Sequence, residues 1–249
     1  MNNFLKNIFP LFITKVIKAL NKNLILAYKY IKYPSASIRM SNVYLYYGNI
    51  YPYEKQFNIN KFIGLALNPL FKKDVRHNAL SRLPWNDNTI EKIQSQDVFE
   101  HIHFEKLPNV LNDIFRVLKP NGVFRLSLPD YNSSALLSDC VFDDKGNILA
   151  DLSSGSSVIY DKKNGGLKVL NSENDSPHLW FPTYDKLNEL INNSSIKSCK
   201  NIVFYQYFKD KENFVCDSIP ENEMFVLRAA PHDNRAGGKP ISIVIDFIK

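Results

Sequence analysis

The sequence is poor in cysteine, and its few metal-ligating residues are scattered. Cys140, Cys199 and Cys216 stand far apart with no CxxC pair, which argues against a disulfide framework and a structural zinc site. The five histidines form neither an HxxxH nor an HExxH spacing, so the sequence predicts no metal site. The cysteine usage favours a reducing compartment, and we expect a cytoplasmic protein.

Acidic residues are absent from residues 1–53, which hold seven basic ones. The remainder has 24 basic and 25 acidic residues, so the net charge of +6 belongs to the N-terminal part of the chain. A nucleic-acid-binding domain needs a basic face on its folded body. The charge distribution therefore predicts no nucleic-acid partner.

A basic segment, residues 1–40, precedes the rest of the chain, and its residues 11–32 have the spacing of an amphipathic helix. Lysines interrupt every apolar run, so the segment lacks the roughly 18 uncharged apolar residues of a membrane span. They also exclude the unbroken apolar centre of a secretory signal. Two interpretations remain open. The helix packs on the main domain or on a second subunit, forming a homo-oligomer, or it lies on anionic lipid at the inner face of the membrane.

Residues 41–249 alternate between strand-like and helix-like segments, which predicts one domain with parallel strands covered on both faces. Lys119-Pro120-Asn121-Gly122 ends the helical segment 107–118, because proline cannot continue a helix and Asn-Gly favours a tight turn. Ligands bind such sheets at the carboxyl ends of the strands. The expected strands are residues 43–47, 62–67, 74–79, 89–96, 123–128, 202–207 and 241–247.

Three motifs resemble the middle of a class I S-adenosylmethionine methyltransferase: Leu83-Pro84-Trp85, Glu100-His101-Ile102 and the run from Arg116 to Gly122. The match is good over residues 74–130 and looser to about residue 208. The sequence looks similar to uncharacterised methyltransferase type 11-like proteins, many of them linked to sugar or surface-polysaccharide loci. The resemblance implies a Rossmann-like, doubly wound, mostly parallel sheet of seven strands. It also implies S-adenosylmethionine as cofactor and residues 131–180 as an insertion that covers the acceptor.

The resemblance places the cofactor beside Gly48, Asn68, His77, Asn78 and Asp97, at the ends of the first four strands. A glycine-rich turn is expected after the first strand, and only Gly48 is present. Asn68 stands where a carboxylate normally binds the ribose, and a neutral amide is a weaker acceptor. His77-Asn78 replaces the usual aspartate. These departures indicate either an altered binding mode or a domain that no longer binds the cofactor tightly.

Asp97, His101 and His178 are the candidate catalytic residues. Asp97 is a proton acceptor or a helix cap, while His101 is a base or part of the Glu-His signature that shapes the turn. His178 precedes Trp180-Phe181, a pair on which a sugar could stack. The predicted function is O-methylation of a small acceptor, such as a sugar of a surface polysaccharide. The alternative is a non-catalytic binding or scaffold protein at a membrane.

Overall fold

The computed structural model describes residues 42–161, 165–171, 176–230, 233 and 240–249. The predicted basic segment 1–40, with its helix over residues 11–32, lies outside these residues. Within the described part of the chain, no helix is long and apolar enough to cross a membrane.

A single large sheet organises the domain, and its strands fall where the apolar runs predict them. The helices are α1 (Leu107–Val117), α2 (Ser134–Leu137) and α3 (Tyr184–Asn192). The strands are β1 (Tyr44–Tyr47), β2 (Phe62–Ala66), β3 (Asp74–Arg76), β4 (Ile90–Gln96), β5 (Leu118–Pro129), β6 (Cys140–Phe142), β7 (Ile148–Asp151), β8 (Ser156–Tyr160), β9 (Leu167–Asn171), β10 (Asn201–Phe208), β11 (Phe214–Cys216) and β12 (Ser242–Ile248).

The order of the large sheet is β11-β10-β12-β5-β4-β1-β2-β3. Strands β1 to β5 are parallel, and β12 runs antiparallel between β5 and β10. This is the predicted doubly wound architecture with one correction: the sheet has eight strands instead of seven, because β11 pairs with the outer edge of β10. The order reverses between β1 and β4, and a ligand cleft is expected at such a switch point.

Helices cover one face of the sheet. The apolar stripe of α1, which includes Val110, Leu111 and Ile114, packs in one core with residues of β4 and β5. Helix α3 begins where predicted, because the Thr183 hydroxyl accepts a hydrogen bond from the Lys186 amide at 3.3 Å. Both helices bury their leucines and isoleucines against the same side of the sheet.

The opposite face is covered by an irregular loop, residues 217–230. It binds to polar side chains that point inward from the sheet. Gln94 donates to the Phe225 carbonyl at 2.9 Å, and Arg125 donates to the Pro220 carbonyl at 2.7 Å. Among the described residues, α1 is the only α-helix that connects two neighbouring parallel strands of β1 to β5. The chain between β1 and β2 forms only a 3-10 turn at Lys55–Asn58.

The segment between β5 and α3 forms two small hairpins, β6–β7 and β8–β9, with α2 before them. Its last residues are fastened to the turn that follows β4. The Leu179 amide donates to the Glu100 carbonyl at 2.8 Å, and the Trp180 indole donates to the Phe99 carbonyl at 2.9 Å. These bonds hold His178 against the edge of the sheet.

Candidate active site

Two neighbouring cavities open at the carboxyl ends of β1 to β4. We call them the polar cavity, of about 370 Å³, and the apolar cavity, of about 490 Å³. Each falls in the size range of small-molecule sites. Together they form one cleft, because both are lined by Tyr47, Gly48, Asn49, Val98, His101 and Ser176.

Gly48 forms the centre of this cleft. Its φ of +102° is one that residues with side chains rarely adopt, and a Cβ there would lie 3.3 Å from Val98 Cγ2. The amide of Gly48 donates to the Leu65 carbonyl at 2.8 Å, which continues the pairing of β1 with β2 as far as the cleft. The glycine leaves open space where a bulkier residue would divide the two cavities.

The apolar cavity is lined by the ends of β2 and β3 and contains, besides Gly48, three of the predicted cofactor-binding residues. Asn68 is exposed at its rim. The Asn78 side chain accepts a hydrogen bond from the Leu80 amide at 3.0 Å, so part of its capacity stabilises the turn. His77 is buried, its Nε2 has no hydrogen-bond partner among the described residues, and burial lowers its pKa. His77 Nε2 therefore offers a polar atom to a ligand in a mainly apolar space.

The polar cavity has a hydrogen-bonded floor that the sequence did not reveal. Gln96 donates to the Tyr46 hydroxyl at 3.0 Å, and that hydroxyl donates to the Glu54 carboxylate. The Tyr51 amide also donates to Glu54, at 2.7 Å. Burial raises the pKa of Glu54. This floor lies below an exposed pair of stacked rings, Tyr51 and Tyr53, whose centroids are 5.3 Å apart.

Asp97 lines the polar cavity directly after β4 and forms an ion pair with Arg228. Its φ of +49° is uncommon for a residue other than glycine. Its amide donates to the Ser127 carbonyl at 3.1 Å, which anchors the turn to β5. Arg228 is carried by the loop 217–230, which also brings Leu227 to the cavity. The structure thus brings Asp97 to the cleft as predicted and adds a cation from far along the chain.

His101 lines both cavities, whereas His178 lies behind it and lines neither. The two rings are 5.0 Å apart, and both approach the fully buried Glu100. Burial, and then the neighbouring His101, lowers the pKa of His178 to about 4. Burial, followed by the charge of Asp97, raises the pKa of Glu100 well above its usual value.

Tyr46, Glu54, Gln96 and Arg228 are site residues that the sequence analysis missed. Gln96 is the last residue of one predicted strand and Tyr46 the penultimate residue of another, so their position near the carboxyl edge could have identified them. Glu54 is the first acidic residue of the chain, which does not by itself indicate a site residue. Arg228 carries no local signal, because only the fold brings its loop to β4.

Part of the chain is similar to a known family. Residues 58–126 match the model of a family described as a methyltransferase domain. No curated protein sequence matches the chain. The matched region runs from the 3-10 turn before β2 to the middle of β5, and so contains the ends of β2, β3 and β4 that line the cleft.

Solved structures with a similar fold include S-adenosylmethionine-dependent methyltransferases from three organisms. The Mesorhizobium loti protein is 11% identical, with a TM-score of 0.41 over 84% of this chain and 92% of that one. The Archaeoglobus fulgidus protein is 12% identical, with a TM-score of 0.43 over 94% of each chain. The Methanosarcina mazei protein is 14% identical, with a TM-score of 0.41 over 86% of this chain and 94% of that one. The sheet order gives the chain a mostly parallel, Rossmann-like fold, and residues 58–126 are similar to a methyltransferase domain.

Proposed function

We propose that this protein transfers a methyl group from S-adenosylmethionine to an oxygen of a small sugar acceptor. The observation that carries the proposal is the cleft centred on Gly48. It lies at the switch point of the sheet, where a doubly wound fold binds its ligand. Gly48 precedes the region that matches a methyltransferase domain, and the ends of β2, β3 and β4 lie within that region.

The residues present suit the cofactor, which supplies an electrophilic methyl group when bound. Gly48 leaves the space that a Cβ would fill. The unpartnered Nε2 of His77 suits the amine or a ring nitrogen of adenine, and the mainly apolar walls suit its faces. Asn68, at the rim, takes the place of the usual ribose-binding carboxylate. His77, Asn68 and Asn78 would thus hold the nucleoside in the apolar cavity.

Arg228 compensates for the missing glycine-rich turn. In a phosphate- or carboxylate-binding turn, amides at a helix N-terminus bind the anion, but only the 3-10 turn Lys55–Asn58, and no α-helix, forms between β1 and β2 here. Arg228 lines the polar cavity, and its side chain remains 44% exposed beside Asp97. A guanidinium can bind a second carboxylate there, so we assign the amino-acid end of the cofactor to Arg228.

The acceptor belongs in the polar cavity, against the stacked rings of Tyr51 and Tyr53. Exposed tyrosine rings present apolar faces and hydroxyl groups, a combination that suits a sugar. Asp97 lines the same cavity and is our candidate for the group that accepts the hydroxyl proton. Arg228 holds its carboxylate in place. The hairpins between β5 and α3 would act as the lid of this cavity.

Calorimetry with S-adenosylhomocysteine tests the proposal. We expect micromolar binding by the full chain, weakened at least about tenfold by Gly48→Ala. Gly146→Ala is the matched control: it also has a positive φ of +81° but has open space around it. Both variants place alanine at a positive φ and bear similar backbone strain. They differ because only Gly48→Ala adds a methyl group inside the cleft. No heat and no thermal shift at millimolar ligand would contradict the proposal.

A binding or scaffold protein is the second candidate, and the missing helix after β1 favours it. A protein of this kind would bind sugars in the polar cavity without cofactor. Sugar binding that persists in Gly48→Ala, together with no response to S-adenosylhomocysteine, would support this alternative. For either function, the basic segment has two proposed roles: contact with the inner face of the membrane, or packing that includes a homo-oligomer.

A further inference from the structure

Three ligand-type side chains converge beside the cleft at Glu100, His101 and His178. Glu100 Oε1 lies 3.9 Å from His101 Nε2 and 3.8 Å from His178 Nε2. One ligand atom from each residue lies within 4.8 Å of the others. Glu100 is fully buried, and neither of its carboxylate oxygens has a hydrogen-bond donor on another described residue.

The Nδ1 atoms of both imidazoles already make hydrogen bonds within the protein. His101 Nδ1 lies 3.1 Å from the Pro177 carbonyl, which can only accept, so Nδ1 carries the proton. The Tyr131 hydroxyl gives its own proton to Asp151 at 2.5 Å. Its oxygen therefore accepts from His178 Nδ1, which also lies 3.6 Å from Asp151 Oδ2. Each histidine thus presents the lone pair of Nε2 toward Glu100.

Three electron-pair donors face one another with no donor hydrogen between them among the described residues. A proton on Glu100 would not satisfy them, because the nearest imidazole nitrogens are well beyond the 2.7–3.2 Å range of a hydrogen bond. A cation satisfies all three at once. The backbone carbonyl that contacts His101 Nδ1 is of the kind that orients metal-bound histidines, and the Tyr131 hydroxyl connects His178 Nδ1 to the Asp151 carboxylate.

We infer that Glu100, His101 and His178 form a binding site for a divalent transition metal, with Zn²⁺ as the best chemical match. Two imidazoles and one carboxylate are a known zinc ligand set with a fourth position left for water or another ligand. Ligands at about 2.0–2.1 Å in a tetrahedron are about 3.3 Å apart. The two separations from Glu100 need to close by about half an ångström, and the separation between the two histidine nitrogens, which is within 4.8 Å, by up to about 1.5 Å. The sequence predicted no metal site, because its histidines form neither an HxxxH nor an HExxH spacing; this site therefore departs from that prediction.

A metal here would fasten the segment that carries His178 to the turn after β4. That connection now rests on the hydrogen bonds from Leu179 and Trp180 to the turn. Because His101 also lines both cavities, the bound metal would fix one wall of the cleft. This inference does not depend on cofactor binding, and the two are tested separately.

Zinc binding by the full chain, stripped with a chelator and dialysed, provides the test. In competition with a chromogenic chelator we expect one equivalent of Zn²⁺ bound with submicromolar affinity. Glu100→Gln and His178→Gln should each weaken binding at least about tenfold. His103→Gln is the control, because this exposed histidine lies two residues from the site and its loss should not change affinity. Equal zinc affinity in wild type and His178→Gln, or no stoichiometric binding, would overturn the inference.

Thermal unfolding separates metal binding from a folding defect. Zn²⁺ should raise the melting temperature of the wild type, since a ligand of the folded state stabilises it. It should leave that of Glu100→Gln unchanged. If both variants fail to fold, Co²⁺ added to the wild type decides: the visible absorption of tetrahedral Co²⁺ with nitrogen and oxygen ligands supports the site, and its absence overturns it.

Discussion

Arg228 is the residue to which we assign the amino-acid end of the cofactor. It reaches the polar cavity from a loop with no helix or strand and pairs there with Asp97. If it binds the carboxylate of the cofactor, its contribution depends on the amino-acid part of the ligand. This dependence separates a binding role from a structural one.

Arg228→Met should therefore weaken S-adenosylhomocysteine about tenfold or more, the order expected for a charged hydrogen bond. It should leave the affinity for methylthioadenosine, which lacks the amino-acid part, unchanged. Calorimetry with both ligands measures the difference. Lys55→Met is the matched control, since this cation pairs with Glu221 and lines neither cavity. Equal loss for both ligands would assign Arg228 a structural role.

The prediction for Asp97 concerns the rate of methyl transfer rather than the affinity for the cofactor. If Asp97 accepts the hydroxyl proton, replacing it with asparagine should slow methyl transfer by about 10²–10⁴-fold. S-adenosylhomocysteine should bind equally well or more tightly, because Arg228 is then free of its partner. Transfer of a labelled methyl group to a panel of sugars and sugar nucleotides gives the rate. A normal rate with a lowered melting temperature would make Asp97 structural.

The residues of the site differ in how visible they are in the sequence. Gly48, His77 and Asp97 follow strands that the apolar runs predict, so their common edge could be foreseen. Arg228 meets Asp97, and His178 meets Glu100, only because distant segments fold back on β4. Periodicity reports which side of an element is buried, but it carries no information on which distant loop covers that side.

At the scale of elements, the loop-covered face of the sheet depends on one buried ion pair. Arg125 on β5 is fully buried and binds Asp246 on β12 through two hydrogen bonds of 2.7 Å each. It also donates to the Pro220 carbonyl, so the pair joins two strands to the loop 217–230. An arginine buried without its partner is costly because its charge stays desolvated.

Asp246→Asn should accordingly lower the free energy of unfolding by about 3–5 kcal/mol. Urea denaturation followed by circular dichroism measures it. Asp87→Asn is the control, since Asp87 is exposed and pairs at 2.9 Å with Arg116, which keeps its other partners. That change should have no measurable effect. Similar stability of both variants would mean that the buried pair does not hold this face together.

A second element-scale prediction concerns pH. Asp130, at the end of β5, is buried and accepts hydrogen bonds from the Phe208 amide at 2.7 Å and the Asn132 amide at 3.0 Å. Burial outweighs these bonds and raises the pKa of Asp130 from 3.8 to about 6. A carboxyl whose pKa is higher in the folded state favours folding when protonated. Its contribution is therefore lost as pH rises from about 4 to 6.

The wild type should lose about 3 kcal/mol of stability through this group between pH 4 and pH 7. Asp130→Asn removes the titration, so the stability difference between the two proteins should shift in favour of the variant at the higher pH. Urea denaturation at both pH values measures this shift, and other carboxyls cancel in the comparison. Parallel pH profiles for the two proteins would contradict the assignment.

The elements themselves illustrate why prediction succeeded in some places and failed in others. The strands and α1 were foreseen because their apolar residues follow a regular period and Pro120 marks the end of the helix. The eighth strand, β11, has only three residues, too few for a pattern to emerge. The covering loop was invisible because Gln94, Arg125 and Asp246, which face it, are polar residues that periodicity assigns to solvent.

On the scale of the whole molecule, the cleft is a product of segments that are far apart in sequence. The end of β1 supplies Gly48, the end of β4 supplies Asp97, and the loop 217–230 supplies Arg228. A change that moves one of these segments therefore alters the cleft to which all three contribute. This arrangement explains how a domain with a single glycine after β1 can retain a complete ligand cleft.

The basic segment, residues 1–40, is the proposed site of contact with a membrane surface. Residues 1–53 hold seven basic and no acidic residues, while the remainder is close to neutral. If residues 11–32 form the predicted interfacial helix, each lysine near an anionic surface contributes about 1 kcal/mol to binding. Salt screens this attraction over a Debye length of about 8–10 Å.

We therefore expect binding to vesicles that rises with phosphatidylglycerol content and falls with added salt, as measured by co-sedimentation. Replacing Lys15, Lys18, Lys22 and Lys29 with glutamine should abolish this binding and keep the domain folded, because the apolar side of the predicted helix is unchanged. Equal partition to neutral and anionic vesicles, or none, would contradict the lipid-binding interpretation. Deleting residues 1–32 should then lower the melting temperature or dissociate an oligomer, because packing against protein would be the remaining role of the helix.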